Sequence, residues 1–328
     1  MTAGTARPVV LAGLGRHADK IVIPALQASP NWHIAGLVSG RPEVAAQRAD
    51  ELGSAAFPSL TAAIEATGAG AVYLAGMPVS HLSDCREALE AGVPLVICEK
   101  PLGVNGGEVA ALLEEAAGAG ALLYEVAAYQ HHPQFETLQR LIDSPEVGGL
   151  VHGYARFSYP FMPEGDFRYR PADGGGALLD AGIYPLSMAA RLLGGEDVEI
   201  QAAEFRGDHD VDTAGSATLS DRRGRSFQCS WGMGSAYANV ARIVGAAGTV
   251  EVPRPFSKPA AFTEPMVLIG GWGERTPVEY DAADQFVRML DDLHLHGDDG
   301  EWRSAAMRQI ADRWSVVERV RTTAIRVG

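Results

Sequence analysis

Short, almost continuously apolar runs alternate with segments of helical periodicity along the first 125 residues. The run opening at Pro8, then His33–Val38, Ala71–Ala75, Val93–Cys98 and Ala121–Tyr124, read as strands. Ala18–Ala28, Pro42–Leu52, His81–Ala91 and Gly106–Ala119 read as the helices between them. Strands this apolar are expected in a parallel sheet covered on both faces, joined by right-handed crossovers. From about residue 150 the pattern changes. Leu150–Pro160, Glu199–Arg206, Ala214–Leu219, Ser226–Trp231, Ala241–Val244 and Thr249–Val252 follow one another without intervening helices. They predict a mostly antiparallel sheet with an outer face free to meet another subunit. Asp281–Leu293 and Ser304–Arg326 read as closing helices.

The first strand runs into Gly13-Leu14-Gly15-Arg16-His17-Ala18. Gly13 and Gly15 allow a tight turn and close approach to a pyrophosphate, and Ala18 allows close helix–strand packing. This is the signature of a Rossmann dinucleotide-binding domain, assigned to residues 1–125. The fold class is α/β: that domain, then a C-terminal α/β domain over residues 126–328 with a large, mostly antiparallel sheet. Helix 304–326 is expected to fold back onto the first domain.

The second strand ends in Ser39-Gly40-Arg41, with no Asp or Glu to bond a ribose 2′-hydroxyl. Ser39 and Arg41 suit a 2′-phosphate, which favours NADP (as NADPH) over NAD. Ala75-Gly76-Met77-Pro78 and His81 follow the next strand and are candidates to line the cofactor. Glu99-Lys100-Pro101 closes the run Val93–Cys98. Ligands of open α/β sheets bind beyond the carboxyl ends of strands, so Lys100 is a candidate catalytic cation.

In the second half, Asp166-Phe167-Arg168-Tyr169-Arg170 and Gly174-Gly175-Gly176 precede Ala177-Leu178-Leu179-Asp180-Ala181-Gly182-Ile183-Tyr184-Pro185. Asp180 and Tyr184 are four residues apart and would share a side of a helix, a carboxylate beside a phenol.

Composition narrows the classes. A formal charge of −14 argues against a nucleic-acid surface, though not against an anionic small molecule met by converging Arg16, Lys20, Arg41, Lys100, Arg168 and Arg170. No apolar run approaches the ~20 residues a membrane span needs, and the residues before Arg7 have no signal-peptide character. Three scattered cysteines fit a reducing cytoplasm. His131-His132 and His294-Leu295-His296 lack partners of metal-site spacing, so no metal is expected.

The glycine turn, Glu99-Lys100-Pro101, Gln130-His131-His132-Pro133 and Gly174–Pro185, in this order, resemble the glucose–fructose oxidoreductase/inositol dehydrogenase/MocA family over essentially the whole chain. Phe157–Pro160, Gly165–Pro171, Asp212–Ala217 and Asp284-Gln285-Phe286 are similar to the branch of bacterial NDP-hexose 3-ketoreductases of deoxysugar biosynthesis. The resemblance implies NADPH-dependent reduction of a sugar ketone, at C3 of an NDP-linked 3,4-diketo-deoxyhexose. It also implies that Lys100 contacts the reacting oxygen and the nicotinamide ribose, that Tyr184 donates the proton, that Asp180 contacts substrate and that Glu99 supports Lys100. A homodimer or homotetramer through the C-terminal sheet is expected. Aldose 1-dehydrogenases and dihydrodiol dehydrogenases share much of the pattern. A non-enzymatic dinucleotide sensor is the reading of another class.

Overall fold

A computed structural model describes residues 6–207 and 210–327, so most of the segment read as leaderless lies outside the described residues. The chain forms two compact units, residues 1–128 with 286–311 and residues 129–285 with 312–328. In the first, β1 (Arg7–Ala12), α1 (Ile23–Ala28), β2 (Trp32–Val38), α2 (Pro42–Leu52), β3 (Ala55–Phe57), α3 (Leu60–Thr67), β4 (Ala71–Leu74), α4 (His81–Glu90), β5 (Leu95–Cys98), α5 (Gly106–Gly118) and β6 (Leu122–Glu125) alternate. All the strands pair in parallel in the order β3-β2-β1-β4-β5-β6.

The sheet's core follows from its sequence. Every residue of β4, β5 and β6 is buried, as a strand covered on both faces requires. Register then positions the chemistry. Ala12 pairs Leu74, Leu74 pairs Cys98 and Cys98 pairs Glu125, so four strands end in one row. Gly13, Ala75 and Glu99 leave the sheet along that edge, at the reversal of strand order between β1 and β4 where α/β sheets bind ligands.

The second unit begins with α6 (Pro133–Ile142), β7 (Leu150–Tyr159) and α7 (Ile183–Leu193). Then come β8 (Glu199–Arg206), β9 (Ala214–Ser220), β10 (Ser226–Met233), β11 (Ala238–Gly245), β12 (Gly248–Pro253), β13 (Met266–Gly270) and β14 (Arg275–Val278). The chain closes with α8 (Gln285–His296), α9 (Gly300–Thr323) and β15 (Ile325–Val327). Nine strands form one sheet, β14-β13-β12-β11-β7-β10-β9-β8-β15, antiparallel except at β7–β10 and β8–β15. Burial alternates along β9, β11 and β12, so one face is covered and the other is partly exposed.

Three expected helices are corrected. The stretch 18–28 opens with a π turn over Ala18–Val22, in which Ile23 N–H reaches Ala18 O. Gly176–Pro185 does the same over Leu178–Gly182, where Ile183 N–H reaches Leu178 O. Each π turn runs into a proline, Pro24 or Pro185, whose missing N–H leaves a carbonyl one turn back unclaimed. The last helix spans Gly300–Thr323 rather than 304–326, because β-branched Ile325 and Val327 extend it as a strand parallel to β8.

Candidate active site

In the first unit the glycine turn rests on a close backbone crossing. Gly13 has φ +91°, and a Cβ there would fall 2.4 Å from the Gly76 nitrogen. Ala75 N–H donates to Ala12 O at 2.7 Å, fastening the ends of β1 and β4. Gly15 and Gly40, by contrast, border space with no heavy atom within 4 Å of where a Cβ would stand. Arg41 reaches this turn, its Nη2 donating to Leu14 O at 3.1 Å, while Ser39 Oγ accepts from Arg41 N–H at 3.2 Å. Among the described residues Arg41 meets no carboxylate. Arg16 and Lys20 are exposed beside the turn. A glycine cradle edged by a guanidinium that no carboxylate neutralises fits a dinucleotide carrying an extra phosphate.

Lys100 follows β5, joined to Pro101 by a cis peptide. Its surroundings are tied at every step. Lys100 N–H donates to Glu99 Oε2 at 3.3 Å. Glu99 Oε1 accepts from His17 Nε2 at 2.9 Å and from the buried Tyr73 hydroxyl at 2.8 Å. Beyond the lysine, Pro101 O accepts from His81 Nδ1 at 2.7 Å, and Leu102 N–H donates to Glu125 Oε1 at 2.7 Å. His81 Nε2 also lies 3.3 Å from Gly76 O, so this buried ring ties the cofactor-side turn to the lysine loop. Met77 and Pro78 continue from Gly76 into a short 3₁₀ turn.

His17 is therefore engaged by Glu99. Burial pushes its imidazole down, but the Glu99 charge and hydrogen bond outweigh that and raise it above the usual histidine value. Burial pushes Glu99 up, and His17, Tyr73 and Lys100 together hold it below the usual range. The histidine's folded value lies above its unfolded one, so its contribution to stability is present below about pH 6.5 and is lost as pH rises through the raised value. In thermal unfolding, wild type is expected to exceed His17→Gln at pH 5.5, with the gap closing above pH 6.5. An unchanged gap would disprove the charged pair.

In the second unit Asp180 lies in the π turn before α7. Its Oδ2 accepts from the Tyr159 hydroxyl and from Arg168 Nε at 2.7 Å. Arg168, expected among the cations that converge on an anionic ligand such as the cofactor, also meets Asp166 Oδ1 at 3.1 Å. Arg170 pairs with Asp173 and donates to Gly165 O at 2.7 Å. The glycines bring backbone together here. A Cβ on Gly175 would strike Arg168 O at 2.6 Å, and one on Gly176 would strike Asp212 Oδ1 at 2.5 Å. Asp212, absent from the expected site residues, accepts from Leu178 N–H at 2.7 Å and so holds the start of the π turn. Burial pushes its carboxyl up to about 6.

Tyr184 sits among aromatic rings. Its half-buried ring lies 4.9 Å from Phe157 and 5.6 Å from Phe256. Phe157 and Tyr159 are two apart on β7 and share a face, so one strand seats both the phenol and the carboxylate. Burial, then the Asp180 charge, pushes the Tyr159 hydroxyl well up, which makes it a poor proton donor. Sequence reasoning missed Tyr73, Glu125, Tyr159 and Asp212. For Glu125 a signal existed, since it is an acid closing an apolar strand just as Glu99 follows one. Among the described residues no group of three His, Cys, Asp or Glu is placed to hold a metal ion, and no helix is long and apolar enough to cross a membrane.

Parallel strands in this order, ending together at a glycine turn and a fixed lysine, define a dinucleotide-fold protein with a second, sheet-bearing unit. The chain belongs to the glucose–fructose oxidoreductase/inositol dehydrogenase/MocA family. The oxidoreductase-family model with the NAD-binding Rossmann fold matches residues 7–128, and the family's C-terminal domain model matches residues 135–251. A dTDP-3,4-didehydro-2,6-dideoxy-α-D-glucose 3-reductase of Actinomadura kijaniata is 33% identical over 96% of this chain and 95% of its own. The solved structure of KijD10, a 3-ketoreductase from Actinomadura kijaniata in complex with NADP and TDP-benzene, superimposes with a TM-score of 0.89 at 30% identity. It covers 98% of this chain and 99% of its own. A D-xylose 1-dehydrogenase (NADP(+)) of Haloferax volcanii is 36% identical over 63% of each chain.

Proposed function

We propose that this protein reduces the C3 ketone of a nucleoside-diphosphate-linked 3,4-diketo-deoxyhexose with NADPH. The observation that carries the reading is Lys100, an amine whose backbone is fixed on both sides at the carboxyl end of β5. The similarity to dTDP-sugar 3-reductases over nearly the full chain supports it.

When bound, the cofactor supplies the hydride. The chain's residues do the rest. The turn Gly13–Ala18 would take the pyrophosphate, Ser39, Gly40 and Arg41 the 2′-phosphate, and Ala75–Pro78 the remaining length of the cofactor. Lys100 stabilises negative charge developing on the ketone oxygen, and Tyr184 donates the proton to it. Glu99, fastened by His17 and Tyr73, positions Lys100. Asp180, held by Arg168 and Tyr159, accepts a sugar hydroxyl.

The test is to follow nicotinamide absorbance. NADPH is expected to be consumed with a dTDP-linked 3,4-diketo sugar. Inactivity there with NADP+ reduced by free D-xylose would assign the protein to the aldose 1-dehydrogenase reading, which the Haloferax volcanii relative supports. Binding of dinucleotide with no turnover of either substrate would favour a sensor. A second experiment addresses the cofactor. Arg41→Ala removes charge-assisted bonds of about 1.5–3 kcal/mol. It is expected to raise KM for NADPH by about 10–100-fold and to leave KM for NADH within threefold.

We further propose that copies pair through the partly exposed face of the nine-stranded sheet, as a homodimer or homotetramer, which light scattering would measure. Three free, buried cysteines support a reducing, cytoplasmic setting.

A further inference from the structure

After β12 the chain turns through Arg254-Pro255-Phe256-Ser257-Lys258, and this turn is held under strain. Arg254 has φ +43°, the only positive value at a non-glycine residue among the described residues. Such strain persists where surrounding bonds over-determine it, often at ligand clamps. Here the buried Asn239 of β11 supplies those bonds. Its carbonyl accepts from Arg254 N–H at 2.9 Å, its Oδ1 accepts from Phe256 N–H at 3.2 Å, and its Nδ2 donates to Ser257 O at 2.9 Å.

The turn presents two cations. Arg254 Nε donates to Ser257 O at 3.3 Å, with its guanidinium 5.6 Å from the Tyr237 ring and 5.8 Å from that of Phe262. Lys258 Nζ donates to Pro255 O. Among the described residues neither side chain meets a carboxylate, in a chain with 41 acidic residues against 27 basic ones. Burial and the Arg254 charge push the Lys258 ammonium down to about 7. Burial and Lys258 push the His132 imidazole down to about 4. Cations gathered without a counter-charge are costly unless an anion completes them. The same turn supplies Phe256, whose ring lies 5.6 Å from that of Tyr184, so the cations and the phenol share one platform within this unit.

We propose that the turn Arg254–Lys258 binds the diphosphate of a nucleotide-linked sugar, and thereby selects such substrates over free sugars. This rests on the nucleotide-sugar reading above. A free aldose carries no anion for either cation. The bidentate guanidinium and the ammonium point charge suit a diphosphate's spread of oxygens.

Isothermal titration of wild type, Lys258→Met, Lys258→Arg and Arg254→Gln with thymidine diphosphate, uridine diphosphate, thymidine and NADPH tests this. Wild type is expected to bind a nucleoside diphosphate. Lys258→Met and Arg254→Gln should each weaken that binding at least tenfold, with thymidine and NADPH within twofold, and Lys258→Arg should retain most of it. Should Arg254→Gln fail to fold, the lysine pair alone decides. Diphosphate affinity within twofold of wild type in the neutral variants would overturn the turn's role and leave the enzymatic reading standing. A loss of NADPH affinity instead would overturn it by assigning the cations to the cofactor. Wild type binding neither diphosphate would overturn both.

Discussion

Lys100→Met is expected to lower kcat by about 10²–10³-fold, the usual cost of removing one preorganised stabiliser of a developing oxyanion. The affinity for NADPH should stay within threefold and the melting temperature should hardly move. Methionine keeps the length and apolar stem of the lysine and removes only the ammonium. The backbone should stay where it is, since three of its fastenings use main-chain groups. Glu99 accepts from the Lys100 N–H, His81 holds Pro101 O, and Glu125 holds Leu102 N–H. The loss should therefore appear in the chemical step. Single-turnover rates would show it directly, and equal rates in the two proteins would remove Lys100 from the mechanism. A variant that lost NADPH affinity in proportion to rate would mean that the lysine acts mainly on the cofactor's ribose.

Lys100 could be placed from sequence because its cues are local: an apolar run, an abrupt charge, and a proline that ends the ladder. The same holds for the Gly13 turn and for α2, which spans Pro42–Leu52 as read. Other elements gave no such cue. Strand β3 is only Ala55–Phe57, and α3 follows at once, so a brief apolar stretch conceals a strand and a helix. Strand β14 is polar and carries Pro277, tolerable only near a sheet edge. Helix α6 has its signal in His132-Pro133, an N-cap followed by a proline at the first position. The site's partners were hidden for another reason. Asp180 is bound by residues 12 and 21 positions away, and no periodicity reports a contact that a sheet and a loop bring together. The four-residue spacing to Tyr184 suggested a shared α-helical side. The π turn ahead of Pro185 breaks that α-helical spacing: the carboxylate meets the Tyr159 hydroxyl, and the phenol ring packs on Phe157, itself 6.2 Å from the Tyr159 ring.

Tyr184→Phe is expected to lower kcat for ketone reduction by about 10²-fold, within the range for loss of a positioned general acid. KM for the sugar nucleotide should stay within threefold. Phenylalanine preserves the ring contacts to Phe157 and Phe256, so the seat is kept and only the hydroxyl is lost. The pH profile separates this from a packing effect. The general acid and the Lys100 ammonium both work while protonated, so wild-type reduction should decline on the basic side, and Tyr184→Phe should keep only the part of that decline that the ammonium contributes. Tyr159 cannot readily take over, since burial and the Asp180 carboxylate hold its proton firmly. If lysine and tyrosine act on one oxygen, their losses will not multiply. Groups acting as a unit are non-additive, and the double variant Lys100→Met/Tyr184→Phe should be nearly as active as the worse single variant. Fully multiplicative losses would mean that the two residues serve separate steps.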